Sequence, residues 1–258
     1  MRLSTFAAAL ALALPLAAQA APITLTGTIR DFNSAGSPMG HPDFEAYLGT
    51  ETGLVQTTLG ADGKPVLSAG AHGTVTSAAS FYQWYHDDPT VNMSQSISIQ
   101  LDPISATTYQ FSSNAFFPID GQLLNLGVPG ANFGFTTEFH TQFTYKTVNN
   151  DDFAFTGDDD VWVFINGILA IDLGGVHGAQ GASVNLNTFA LANGLVNGSD
   201  YTLDVFQAER HTSGSNFTMT TSLQLVTTTP NDVPEPASLG LVGAGLLAAA
   251  AAARRRRR

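Results

Sequence analysis

Asp158, Asp159 and Asp160 stand side by side immediately before "VWVFI", one of the most apolar stretches in the chain. Adjacent like charges repel, so three carboxylates at the entrance to a strand need something to hold them. Hard oxygen ligands clustered on loops suit Ca²⁺, which takes about six to eight oxygens in flexible geometry. The competing reading is that the three cap strand ends and meet solvent. The spaced acidic loop of an EF-hand is absent. Zinc suits the chain less well, because there is no cysteine and the six histidines are scattered singly.

A second set of candidates lies in "QAERHTSGSNF", residues 207–217, where Glu209, Arg210 and His211 end one strand and residues 213–216 turn into the next. Arg210 offers a planar donor fork for a ligand's oxygens, or an ion pair with Glu209 or a neighbouring carboxylate. Trp84 and Tyr85 in "FYQWYHDDP" either stack on a sugar ring or pack in the core. No nucleophile elbow, zinc-protease helix or phosphate loop is present. Carboxylates are too plentiful to single out a glycosidase pair. The residues single out no catalytic group.

The elements that position these residues are strands. Asn166-Gly167 between two apolar runs, 161–165 and 168–173, is a two-residue hairpin turn, since both residues tolerate positive φ. Pairing Ile165 with Ile168 sets Asp160 opposite Leu173, Asp159 by Gly174 and Asp158 by Gly175. Gly175 and His177 therefore share an end with the carboxylates. Both strands are apolar on both faces, which predicts a central hairpin. Residues 133–145, 217–225 and 97–101 alternate apolar and polar with period two. Further strands are expected at 23–30 and 201–207, and short helices at 42–48 and 188–192. The fold class is all-β, an antiparallel sandwich or barrel.

The two ends differ from the body. Residues 1–20 carry a basic start, an apolar run and Ala18-Gln19-Ala20, the pattern of a signal peptide cleaved after Ala20. Residues 21–229 make one domain. The tail, 230–258, has a Pro-rich break with Val233, Pro234, Glu235 and Pro236, an uncharged segment at 237–253 and five arginines. That segment is at the lower limit for a membrane span, and the arginines are expected on the cytoplasmic side. Between Ala21 and Pro236, four basic residues face 21 acidic ones, leaving −17. So acidic a body excludes nucleic acid and anionic membrane surfaces as partners. An exported chain without cysteine draws its stability from its core, helped by any metal it binds.

The Val-Pro-Glu-Pro tetrad, short span and arginine block resemble the PEP-CTERM sorting signal of Gram-negative bacteria. This implies Sec-dependent export and a transient inner-membrane anchor. It also implies removal of the tail by an exosortase, and delivery to a cell surface or extracellular matrix associated with exopolysaccharide. Residues 155–178, 201–225, 41–45 and 116–121 resemble the fibro-slime domain, which in turn distantly resembles the protective-antigen-type carbohydrate-binding domain, a lectin-like β-barrel. In adhesins of that wider family two adjacent aspartates joined by a cis peptide hold a Ca²⁺ that contacts sugar hydroxyls. The matching positions are Asp158 and Asp159. The chain departs from the family at Asp160, where glycine is usual. The resemblance implies an exopolysaccharide or surface glycan as partner. Gly175, His177, Arg210 and Asn216 are then the glycan-binding candidates, with Asp160 a third metal ligand. The alternatives are a self-associating matrix protein in which Ca²⁺ only stiffens loops, and a glycoside hydrolase.

Overall fold

The computed structural model describes residues 20–226 apart from Leu126 and Val128. The signal run and the sorting tail, with Val233, Pro234, Glu235 and Pro236, lie outside the described residues. The strands are β1 (Ile23–Phe32), β2 (Gly49–Thr50), β3 (Asn92–Pro103), β4 (Tyr109–Ser113), β5 (Phe135–Thr144), β6 (Asp152–Gly157) and β7 (Asp160–Ile165). They continue with β8 (Ile168–Leu173), β9 (Gly175–Val176), β10 (Gln180–Asn185), β11 (Asp200–Glu209), β12 (Phe217–Thr221) and β13 (Gln224–Leu225). Two short helices, α1 (Ala78–Gln83) and α2 (Leu186–Asn193), complete the described elements apart from brief 3-10 turns.

The main sheet is antiparallel and runs β10-β6-β12-β4-β3-β1-β5-β11-β7-β8, with β13 added to the far end of β5. Its terminal strands β10 and β8 approach each other, so the sheet nearly closes on itself. The fold is the expected all-β architecture. In β5 the alternation puts Phe135, Phe139 and Phe143 into the interior with Ile29, Ile99, Leu101 and Phe217. A strand with period two has to place such residues on one face.

Strands β7 and β11 are apolar on both faces for a reason not visible in their own sequence. Val161, Val163, Ile165, Leu203 and Val205 face the interior. Trp162, Phe164, Phe206 and Ala208 face outward into a second core, closed by Phe32, Phe44, Leu54, Val55, Phe81, Trp84 and Tyr85. The hairpin is therefore not central: β8 ends the sheet, and the chain from Phe32 to Tyr85 covers its neighbour β7. The outer edge of β8 is itself covered. Thr58 bridges to Ile168, and the Leu169 N–H donates to Thr57 O at 2.9 Å. Such a cover blunts an edge that would otherwise template pairing with another chain.

The Asn166-Gly167 turn pairs Ile165 with Ile168 as expected, but the register then slips. Phe164 pairs with Leu169 while Val163 pairs with Ile171, leaving Ala170 as a bulge. Val161 thus lies opposite Leu173, one residue away from the expected pairing. The helix expected at 42–48 is absent, and that segment is turns and bends around the fully buried His41 and Asp43. The second expected helix falls within α2, capped by Asn185, whose side chain accepts from the Thr188 N–H. The unexpected α1 is capped by Ser77, which accepts from the Ser80 N–H.

Candidate functional site

Strands β6, β7, β11 and β12 bring their ends together around Asp158, Asp159 and Asp160. Because Ala208 pairs with Asp160, Glu209 falls alongside Asp159. Strand alternation then sends Glu209 and Arg210 to opposite faces. Glu209 shares the interior face of Leu203 and Val205. Arg210 continues the outward face of Phe206 and Ala208.

Asp159 sits at φ +53, in the left-handed region that few non-glycine residues adopt. Among the described residues there is no cis peptide. The turn that presents Asp158 and Asp159 is therefore made by this φ, not by the cis bond of the resembling adhesins. Four N–H groups fix the four oxygens. The Asn216 backbone N–H donates to Asp158 Oδ1, and the Asn216 Nδ2 to Asp158 Oδ2 at 2.6 Å. His177 N–H donates to Asp159 Oδ1 at 3.2 Å, and Arg210 N–H to Asp159 Oδ2 at 2.6 Å. Each carboxylate oxygen keeps a second lone pair.

Three expectations for this site, those for Arg210, Asp160 and Gly175, are corrected by burial. Arg210 is not a surface donor fork. It is fully buried, with Nε donating to Asp160 Oδ2 at 2.6 Å, Nη1 to Asp43 O and Thr74 O, and its guanidinium 4.4 Å from the Trp84 ring centre. Asp160 is equally buried; it accepts from Arg210 and from the Gly175 N–H at 2.6 Å, so its oxygens serve the fold rather than a metal. Gly175 does not leave space for a sugar. At φ +103 its missing Cβ would lie 2.3 Å from Gly49 O, because β2 packs on β9 there. Of the two readings of Trp84 and Tyr85, core packing holds: both are buried in the outer core, with the Trp84 Nε1 donating to Asp43 Oδ2. His177 and Asn216 remain partly exposed beside the aspartates, and both His177 ring nitrogens face backbone carbonyls, of Gly178 and Leu173.

Glu209 is the residue that sequence reasoning treated only as a partner for Arg210. It is fully buried, and neither carboxylate oxygen has a hydrogen-bond partner. Burial, reinforced by the charges of Asp159 and Asp158, pushes its carboxyl up to about 10. Burial likewise pushes Asp159 up to about 7, with Asp160 and Asp158 adding to the rise and the Arg210 N–H opposing it. Among the described residues no three His, Cys, Asp or Glu side chains form a preformed metal cage. Asp158 and Asp159 offer carboxylate oxygens, the donor type that hard cations take, and the nearby guanidinium is committed to Asp160.

A second polar cluster lies on β5 and β11. Glu138 accepts from Arg30 Nη1 at 3.0 Å and from Lys64, while His140 bridges Asp204 at 2.8 Å and Glu138 at 3.6 Å. Burial alone would raise Glu138, but the hydrogen bonds from His140 and Lys64 outweigh it and hold it at about 2. The Asp204 and Glu138 carboxylates lift His140 to about 9. The cluster is self-paired and anchors the 60–64 turn to the sheet.

Residues 127–236 match the PA14 domain, and residues 232–258 match the PEP-CTERM protein-sorting motif. The chain carries a PA14 domain and a PEP-CTERM sorting motif. The PA14 match takes in Asp158, Asp159, His177, Glu209, Arg210 and Asn216. Curated relatives include Protein psiQ of Dictyostelium discoideum, 40% identical over 195 residues, covering 69% of this chain and 19% of that one. Protein psiD of the same organism is 38% identical over 219 residues, covering 78% and 41%. The chain thus spans about a fifth to two fifths of the length of these relatives. Among solved structures, the PA14 domain of MpAFP antifreeze protein aligns with TM-score 0.36 and 10% identity over 85% of this chain and 90% of that one. The PA14 sugar-binding domain from RTX adhesin aligns with TM-score 0.29 and 10% identity over 76% and 88%. The sorting motif marks an exported protein with a membrane-anchored precursor.

Proposed function

We propose that this is a non-enzymatic glycan-binding protein of the bacterial surface or extracellular matrix, in which Asp158 and Asp159 hold a Ca²⁺ beside a rim formed by His177 and Asn216. The observation that supports the reading most directly is the left-handed turn at Asp159. It sets two consecutive carboxylates together, each oxygen fixed by one N–H and retaining a free lone pair. Four donors arrange the ligands in advance, so little side-chain freedom is lost on binding. Ca²⁺ held there supplies coordination positions that vicinal sugar hydroxyls fill in place of water. Asp158 and Asp159 keep only 5% and 4% of their surface exposed. Contact between one ion and a few sugar hydroxyls is weak at a single site, and firm retention then comes from many copies on one surface.

The test combines thermal melting with retention on the organism's own exopolysaccharide, in Ca²⁺ and in chelator. A ligand bound only by the folded state stabilises it by roughly 2.7 kcal/mol at a hundredfold excess over Kd. Asp159→Ala is expected to lose the Ca²⁺-dependent melting shift and polysaccharide retention together. Asp102→Asn, on an exposed residue near the opposite end of the barrel, is expected to change neither. Absence of any shift across the millimolar range would remove the metal. An Asp159 variant that lost Ca²⁺ yet held polysaccharide normally would make the cation structural and favour a self-associating matrix protein.

A further inference from the structure

We propose that Tyr82, His86 and Asp62 build a second, metal-independent site that takes a neutral pyranose ring. It shares no residue with the aspartate site and does not depend on it. Helix α1 and the turn after it divide their aromatic residues between two sides. Phe81, Trp84 and Tyr85 are buried in the outer core, while Tyr82 is 57% exposed. Of the rings in "FYQWYHDDP" that could stack on a sugar, Tyr82 is therefore the one that meets solvent. His86, four residues on, stacks against it, with ring centres 3.5 Å apart and planes 11° from parallel. The imidazole is itself fixed, Nδ1 facing Tyr82 O at 2.7 Å and Nε2 facing Asp62 Oδ2 at 3.0 Å. Asp62 Oδ1 accepts from the Lys64 N–H at 3.1 Å, and the Lys64 ammonium is tied to Glu138. An exposed ring held this way loses little freedom when a ligand covers it.

A cavity of about 440 Å³ opens at this pair. Pro65, Val66, Leu67 and Ala78 supply apolar walls, and Asp62 and His86 the polar groups. Small-molecule sites occupy about 300–1,000 Å³ and combine apolar walls with a few placed polar groups. The chemistry of the walls selects the ligand. A purely apolar molecule would strip water from Asp62 and His86 and return no hydrogen bond. An anion would meet the Asp62 carboxylate. A cation would find that carboxylate already facing His86 and the Lys64 N–H. A pyranose suits both kinds of wall: its C–H face covers an aromatic ring, and its hydroxyls donate to Asp62 oxygens, which keep free lone pairs. Contact with one ring is weak, so the subsite does not retain a polymer by itself. It adds a second point of hold to a chain already bound elsewhere on the protein.

The test is saturation-transfer NMR in chelator on the protein recovered from cells. The probes are methyl glucoside, galactoside and mannoside, and neutral oligosaccharides cut from the organism's own exopolysaccharide. The C–H protons of at least one probe are expected to receive saturation. Tyr82→Ala is expected to weaken that binding about tenfold, and Tyr82→Phe, which keeps the ring, to preserve it. Leu191→Ala, on an exposed residue of α2, is expected to change nothing. Melting curves check that each variant is folded. Transfer in chelator that depends on Tyr82 supports the subsite whether or not the aspartates bind Ca²⁺. If Tyr82→Ala melts as the parent does and binds the same probe equally well, or if no probe receives saturation, the inference falls. If N-acetyl-lysinamide receives saturation through Tyr82 and no sugar does, the site takes cationic side chains and the inference also falls. If transfer appears only with Ca²⁺, and is lost in Asp159→Ala but not in Tyr82→Ala, the aspartate site alone binds sugar; the proposed function stands and this subsite does not.

Discussion

Arg210 Nε donates to Asp160 Oδ2 at 2.6 Å, and both side chains are completely shielded from water. The pair ties the end of β11 to the start of β7 and stacks its guanidinium on Trp84, joining the sheet to the outer core. Breaking such a pair on one side leaves a buried charge without its partner. Arg210→Met is expected to destabilise the protein by about 3–5 kcal/mol in urea unfolding. Arg210→Met combined with Asp160→Asn is expected to cost less than the single change. A double variant as unstable as the sum of the two singles would show that the ion pair is not what holds the residues there.

The pH response of the metal-free protein follows from Asp159 and Glu209. Their carboxyls are raised from ordinary values of 3.8 and 4.5 to about 7 and about 10. The folded state therefore keeps protons that the unfolded chain has already released. Its stability is greatest below about pH 4 as far as these groups are concerned, and declines as pH rises through 7 towards 10. Added Ca²⁺ is expected to reverse the slope, because the cation competes with the same protons and gains as they leave. Melting curves from about pH 5 to pH 9, with chelator and with Ca²⁺, check this. The prediction fails if the chelator series is flat and Asp159→Asn does not alter it.

Gly175 tests the packing of β2 on the site loop. Its φ of +103 and the 2.3 Å approach of a built Cβ to Gly49 O leave no room for a side chain. Gly175→Ala is expected to destabilise by about 1–3 kcal/mol, through backbone strain and displacement of the 49–51 segment. Hydrogen exchange would show the loosening first at Glu51 N–H, which donates to Gly174 O at 2.7 Å. Unchanged protection there would mean the segment is held by other contacts.

Processing is tested by the sorting motif. Replacing Pro234 and Glu235 is expected to leave the precursor in the inner membrane with residues 254–258 attached, while the parent reaches the surface without them. Intact-mass analysis of surface material distinguishes the two. Arginines found on surface protein from the parent strain would contradict the prediction.

The strand pattern was legible because burial of one face leaves a period-two trace, as in Phe135, Phe139 and Phe143. What escaped was anything that depended on a distant segment. The double-sided apolarity of β7 suggested a central strand, yet its cause is the cover from Phe44, Phe81 and Trp84, far away in sequence. The bulge at Ala170 carries no glycine or proline to announce it, so the register was off by one. Arg210 and Glu209 could not be told apart by type, since either suits an ion pair or a ligand. The available signal was phase: Arg210 follows Phe206 and Ala208 outward, while Glu209 follows Val205 and Gln207 inward. Applied to β11, that alternation separates a paired buried charge from an unpaired one.

The placement of β1 has a kinetic side. It lies between β3 and β5, pairing Ile23 with Leu101 and Gly27 with Phe139. The first strand to be synthesised therefore has no neighbour until residues about seventy positions later have emerged, and is not flanked on both sides until β5 is made. Contacts this distant in sequence fold slowly, because a long loop must close before any pairing rewards it. In a chain that carries an export signal, the central sheet is thus completed only after most of the body has been made.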